Sequence, residues 1–166
     1  METYPFPFTK RKFFIACVIF ITTFLQATSQ VTSISSIENL SFGAFTRTGG
    51  GRGSVLVSNT GLRTATGDIV LLNALGNWQC AGFKIVSTPN TSISGILGPG
   101  TTVVLNGSNG GSMLFTLGGT NKAFPFTSSA SGIDYFQIGG TLTIENSSSS
   151  PPGNYTGNFM VTINYQ

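Results

Sequence analysis

The chain has 166 residues, of which 8% are charged and 40% hydrophobic, with 22 Gly, 14 Phe, two Cys and no His. A soluble domain usually carries ~25% charged residues. Without His, Ser-His-Asp and Cys-His catalysis and His-containing zinc sites are excluded, and five acidic residues leave few carboxylates for a metal or a general acid. The composition favours a non-enzymatic structural or binding protein, with no cofactor and no metal expected.

The formal charge of +3 is unevenly placed, because Lys10, Arg11 and Lys12 stand together before the apolar run Phe13 to Leu25. At ~1.5 Å per residue that run makes a helix of ~20 Å, short of a hydrocarbon core of ~30 Å. Residues 1–29 are therefore predicted to be a secretory signal peptide, with the small residues Ala27 and Ser29 preceding the cleavage site. A signal anchor is the alternative, opposed by the polar stretch Gln26 to Gln30. Cys17 faintly resembles a lipoprotein box, but the apolar run continues beyond it. Export to the periplasm, cell surface or extracellular space follows, with residues 30–166 expected as a single domain lacking a membrane span. The cations of that domain, Arg47, Arg52, Arg63, Lys84 and Lys122, are scattered, so no nucleic-acid footprint is expected. Cys80 is left alone and cannot form an intrachain disulfide. It is expected to be buried as a small apolar residue, with an interchain bridge as the alternative.

No stretch of the mature chain keeps a helical apolar period without a Gly or Pro interruption. In chain order, Val31, Ile34, Ile37 and Leu40 recur every third position, which fits a strand poorly. Gly49-Gly50-Gly51-Arg52-Gly53 reads as a flexible hairpin, since no helix follows it to make a phosphate cradle. Val55 and Val57 alternate. Ile69 to Leu72 is apolar on both parities and is expected as a central strand covered on both faces. Trp78, near Cys80, is expected in the core, though sugar stacking on it is an alternative. Alternation resumes at Phe83 and Ile85, at Val103 and Leu105, and at Met113, Phe115 and Leu117. Phe136, Ile138, Leu142 and Ile144 share a parity across Gly139-Gly140, which suits a strand broken by a bulge. Asp68 and Asp134 are expected to be solvated or bonded to nearby backbone, not paired as catalytic acids. Ser147 to Pro152 reads as a long loop before the last strand. The expected fold is all-β, an immunoglobulin-like antiparallel β-sandwich of about seven to nine strands.

From Gly153 the odd positions Tyr155, Phe159, Val161, Ile163 and Tyr165 are apolar or aromatic, while the even positions are mostly polar, a period of two. This predicts one amphipathic terminal strand. It resembles the β-zipper strand of pilus subunits of the chaperone-usher route, which a periplasmic chaperone recognises by added main-chain pairing. The candidate assembly strand is thus Gly153, Tyr155, Phe159, Val161, Ile163 and Tyr165. The candidate donor to a neighbouring subunit is Val31 to Ile37, with Val31, Ile34 and Ile37 as its apolar residues.

A longer resemblance runs through Leu40-Ser41-Phe42-Gly43-Ala44-Phe45, Gly53-Ser54-Val55-Leu56-Val57 and Gly61 to Leu72. It returns in Gly140-Thr141-Leu142-Thr143-Ile144 and Pro152 to Tyr165. These blocks are similar to the bacterial family known as domain of unknown function 4402. The resemblance implies an exported, pilin-like β-sandwich, akin to spore-coat-U-like and archaic pilus subunits, with no established activity. Archaic pilus subunits often hold a disulfide, which a lone Cys80 cannot form. The expected function is a structural or cell-surface protein, a pilus- or fimbria-like subunit assembling by strand addition, with identical subunits or a periplasmic chaperone as partners. The alternative is a monomeric secreted module that binds a glycan or small ligand.

Overall fold

The alternating runs become strands whose apolar parity faces one interior. A computed structural model of the chain describes residues 33–165. The predicted signal peptide, its cleavage site and Val31 lie outside the described residues. The first strands are β1 (Ser33–Glu38), β2 (Ser41–Phe42), β3 (Phe45–Arg47), β4 (Gly53–Val57), β5 (Arg63–Gly67) and β6 (Ile69–Leu71). Then come β7 (Trp78–Gln79), β8 (Ala81–Val86), β9 (Ser92–Leu97), β10 (Thr102–Gly107) and β11 (Ser112–Thr120). The last are β12 (Phe126–Thr127), β13 (Ile133–Ile144), β14 (Tyr155–Thr156) and β15 (Thr162–Tyr165). Every ladder between these strands is antiparallel, and no helix occurs among the described residues. The fifteen strands among the described residues exceed the expected seven to nine because four of them (β2, β7, β12 and β14) are only two residues long and two more, β3 and β6, only three.

An eight-stranded sheet runs β1-β8-β13-β11-β10-β14, with β4 and β5 joined to it through β13. The 12-residue β13 organises it. Its first half pairs with β8, from Ile133 opposite Val86 to Ile138 opposite Ala81, and its second half pairs with β4, from Gly140 opposite Val57 to Ile144 opposite Gly53. A three-stranded sheet, β12-β9-β15, and two ribbons, β2-β7 and β3-β6, complete the set. The inner face of the large sheet carries Val55, Phe83, Ile85, Met113, Phe115, Leu117, Phe136, Ile138, Leu142 and Ile144, all buried, while Ile96, Phe126 and Ile163 of the small sheet pack against them. Each such side chain contributes ~1.5–3 kcal/mol by leaving water. Aromatic contacts reinforce this packing: Phe83 stacks on Phe136, its partner across the β8–β13 ladder, at 5.2 Å, and Phe115 meets Phe42 of the β2-β7 ribbon edge-on at 5.6 Å.

Three expectations are corrected. Gly139-Gly140 is not a bulge, since β13 runs unbroken and keeps its parity. Leu117 faces Gly140 and Thr120 faces Ile138, so the extra residue lies on β11, at Gly118-Gly119. The glycines of β13 serve close approach instead. A side chain at Gly140 would enter the Phe115 ring, and one at Gly139 would lie 2.5 Å from the carbonyl carbon of Ser58. Ile69–Leu71 is not a central strand covered on both faces. It pairs only with β3, and Val70 is 43% exposed while Ile69 is buried. Trp78 lies outside the buried cluster: it pairs with Phe42 in the β2-β7 ribbon and stacks under the Arg63 guanidinium, 5.2 Å from the ring centre.

The 147–152 loop forms as expected. Asn146 Oδ1 accepts hydrogen bonds from Ser148 Oγ at 2.7 Å and Ser149 N at 3.0 Å, and the buried Ser150 hydroxyl donates to the Ser112 carbonyl at 2.8 Å. Cys80 is buried and unpaired, and burial pushes its thiol pKa up.

Candidate functional site

The candidate donor segment, from Ser33 onward, is β1. It lies along one edge of the large sheet and pairs with β8 alone, Ser33 opposite Val86, Ile34 opposite Ile85, Ser35 opposite Lys84 and Ser36 opposite Phe83. The register then slips by one residue, so that Glu38 faces Gly82 and Ile37 sits in a bulge, 53% exposed. The slip accounts for the period of three. Ile34 and Leu40 pack against the core, while the residue between them is lifted out of the alternation. A strand is therefore present where the apolar spacing argued against one. The ladder resumes beyond Asn39-Leu40, with Ser41 opposite Gln79 and Phe42 opposite Trp78.

The predicted terminal strand is divided. Tyr155 and Thr156 form β14 against Gly107 and Asn106 of β10, in the large sheet. Residues 157–161 belong to no strand, and β15 then pairs with β9 in the small sheet, Ile163 opposite Ile96 and Tyr165 opposite Ile93. The predicted single strand from Gly153 is thus corrected to two short strands in two sheets. Close packing at Gly157 marks the break: a Cβ there would lie 2.6 Å from Leu105 Cδ2 and 3.0 Å from the Val104 carbonyl. The parity survives the crossing. Tyr155, Phe159, Val161 and Ile163 all pack against the core, whereas Met160 is 81% exposed. Phe159 meets Phe115 at 5.7 Å and Phe83 at 6.3 Å, and the Tyr155 hydroxyl donates to the Pro151 carbonyl. Gly153 sits where a Cβ would come 3.0 Å from Ser108 Oγ. β15 pairs on one side only, so it is an edge of the small sheet.

Charged groups serve local structure. Asp68 Oδ2 accepts from the Gly51 amide at 2.8 Å and closes the glycine-rich turn. Asp134 Oδ1 takes a hydrogen bond from Lys122 Nζ at 2.6 Å and Oδ2 one from the Ser129 amide at 2.9 Å. Burial pushes the Asp134 carboxyl upward, but the bonds from Lys122 and Ser129 outweigh it and hold the pKa below the usual value. The Asp68 and Asp134 carboxylates therefore serve separate turns. Arg63, which sequence reasoning left among the scattered cations, is buried; its Nη2 donates to the Ala44 carbonyl at 2.6 Å, and desolvation lowers its pKa. No charge pattern around Arg63 in the sequence signals that burial.

A family model matches residues 32–165 of the chain. The chain belongs to the family described as a domain of unknown function (DUF4402). The match takes in every described strand, from β1 to β15, so both candidate edges are parts of the family domain. No curated protein and no solved structure matches the chain.

Proposed function

We propose that the protein is an exported, non-enzymatic cell-surface subunit, fimbria-like, that assembles by β-strand addition. In this reading β1 is the exchanged strand and the edge of β8 receives it from a neighbouring copy. The observation that carries the reading is that β1 pairs with β8 alone and contributes only Ile34 to the core. Such a strand leaves and rejoins an edge at little packing cost, because its main-chain bonds supply most of its hold. Exchange between identical copies keeps every bond of the ladder, so the balance depends on strain in the Asn39-Leu40 connection and on the concentration of neighbours. The edge of β15 supplies a second surface on which a chaperone-like partner pairs its main chain.

Deleting Gln30 to Ser36 tests the reading. The expected product keeps the β circular dichroism of the parent but no longer self-associates in size-exclusion chromatography with light scattering. An unchanged oligomeric mass after the deletion contradicts strand exchange, as does a full-length protein that stays monomeric at every concentration.

A further inference from the structure

The outer face of the large sheet has a depression where β1, β8 and β13 run side by side. Gln137 of β13 faces Gly82, and Gly82 faces Glu38 of β1, so the three lie in one row across adjacent strands. The middle position has no side chain, and a hollow of about 230 Å³ opens there, lined by Ile37, Glu38, Gly82, Asn121, Tyr135 and Gln137. A Cβ on Gly82 would stand 3.1 Å from Ile37 Cγ1 and 3.3 Å from Glu38 Oε2, so a larger residue would push the bulge of β1 off its place on the rim.

We propose that this hollow binds one neutral pyranose unit of a glycan. Its polar groups are already set. Asn121 Nδ2 donates to Gln137 Oε1 at 3.1 Å, and Asn121 Oδ1 accepts from the Gln137 amide at 2.7 Å. That pairing orients the Gln137 side chain and leaves its Nε2 hydrogens for a ligand. The Glu38 carboxylate enters neither of the ion pairs formed among the described residues, and its Oε2, beside Gly82, offers an acceptor. Tyr135, 58% exposed, supplies an aromatic wall.

A pyranose suits this set because each hydroxyl both donates and accepts, matching an amide donor and a carboxylate acceptor, while its C–H face covers an aromatic ring. An anion would meet the Glu38 carboxylate. A wholly apolar ligand would strip water from Glu38 and Gln137 without replacing its hydrogen bonds. The volume falls below the ~300–1,000 Å³ of pockets for larger ligands, which fits a single ring. Ile37 and Glu38 belong to β1, so the site forms wherever β1 lies on β8, from the same chain or a second copy. The inference therefore goes beyond the assembly reading and does not depend on it.

The test is a titration of the ¹⁵N-labelled protein with methyl β-glucopyranoside, methyl β-galactopyranoside and N-acetylglucosamine, with glucuronate as the acidic comparison. At least one neutral sugar is expected to give saturable amide shifts at Gly82, Tyr135 and Gln137 with a millimolar dissociation constant. Tyr135→Ala and Gln137→Ala each weaken it by about tenfold while amide signals away from the hollow keep their parent positions, and the shape-preserving Glu38→Gln also weakens it. The proposal is overturned if no neutral sugar shifts those amides, if only glucuronate binds, or if the shifts survive the substitutions.

Discussion

Gly140→Ala probes the packing on which the large sheet depends. The new methyl group would enter the Phe115 ring and lie 2.9 Å from the Thr116 carbonyl oxygen. Phe115 is 2% exposed and is flanked by the rings of Phe42 and Phe159, 5.6 and 5.7 Å away, so it has no free direction in which to turn. Forcing an extra carbon into such a core costs about 1–3 kcal/mol. For a domain of this size, a loss of about 2 kcal/mol lowers the melting temperature by roughly 8 °C. Gly139→Ala should cost more, because its Cβ would press on main-chain atoms of Ser58 and Asn59, which cannot rotate away. Gly119→Ala is the control: nothing lies within 4 Å of its Cβ, and its effect should stay within about 0.5 kcal/mol. Calorimetry and urea unfolding with an unchanged slope measure all three. A Gly140→Ala protein melting within about 1 °C of the parent, or a Gly119→Ala protein that is the least stable of the three, refutes the packing account.

Two further outcomes are expected. Cys80→Ser should cost about 1–3 kcal/mol by placing a hydroxyl in an apolar site, and reductant should leave the parent's melting temperature unchanged; a reductant-sensitive transition would reveal an interchain bridge. Asp134→Ala should destabilise the protein by about 2 kcal/mol at neutral pH, since it removes charged hydrogen bonds and leaves Lys122 unpaired. The folded carboxyl titrates below its usual 3.8, so its contribution is complete above that pH and is lost as pH falls through the lower folded value. Melting curves should therefore show the gap between variant and parent closing only in acid; a gap that persists there contradicts the ion-pair account.

Much of the large sheet was legible because its residues alternate locally. Val55 and Val57, Phe83 and Ile85, and Met113, Phe115 and Leu117 need only a half-buried strand to account for them, and all are buried. What depends on a distant partner was not legible. Ile69 to Leu72 looks two-sided, yet only β3 lies beside it, and no local pattern counts a strand's neighbours. Gly139-Gly140 fits a bulge or a close approach equally well until the Phe115 ring and the Ser58 backbone are in place. At Ile37, a single bulged residue turned a strand into an apolar period of three. The terminal strand kept its parity but not its continuity, because Tyr155 and Ile163 face one interior from two sheets. Of the residues lining the hollow at Gly82, only Ile37 stands out in the sequence, and as part of the donor segment, since Glu38, Gly82, Asn121 and Gln137 are far apart along the chain.

Strand exchange is tested most directly by a disulfide across the β1–β8 ladder. Ser35 and Lys84 face each other in that ladder, at a spacing between paired Cα atoms that suits a cystine. In a protein carrying Ser35→Cys, Lys84→Cys and Cys80→Ser, oxidation of the assembled material should trap β1 of one copy on β8 of the next. The account predicts a ladder of covalent oligomers on a non-reducing gel, collapsing to monomer with reductant. Quantitative disulfide formation with only a monomer band would show that β1 stays on its own chain and would contradict assembly by strand addition.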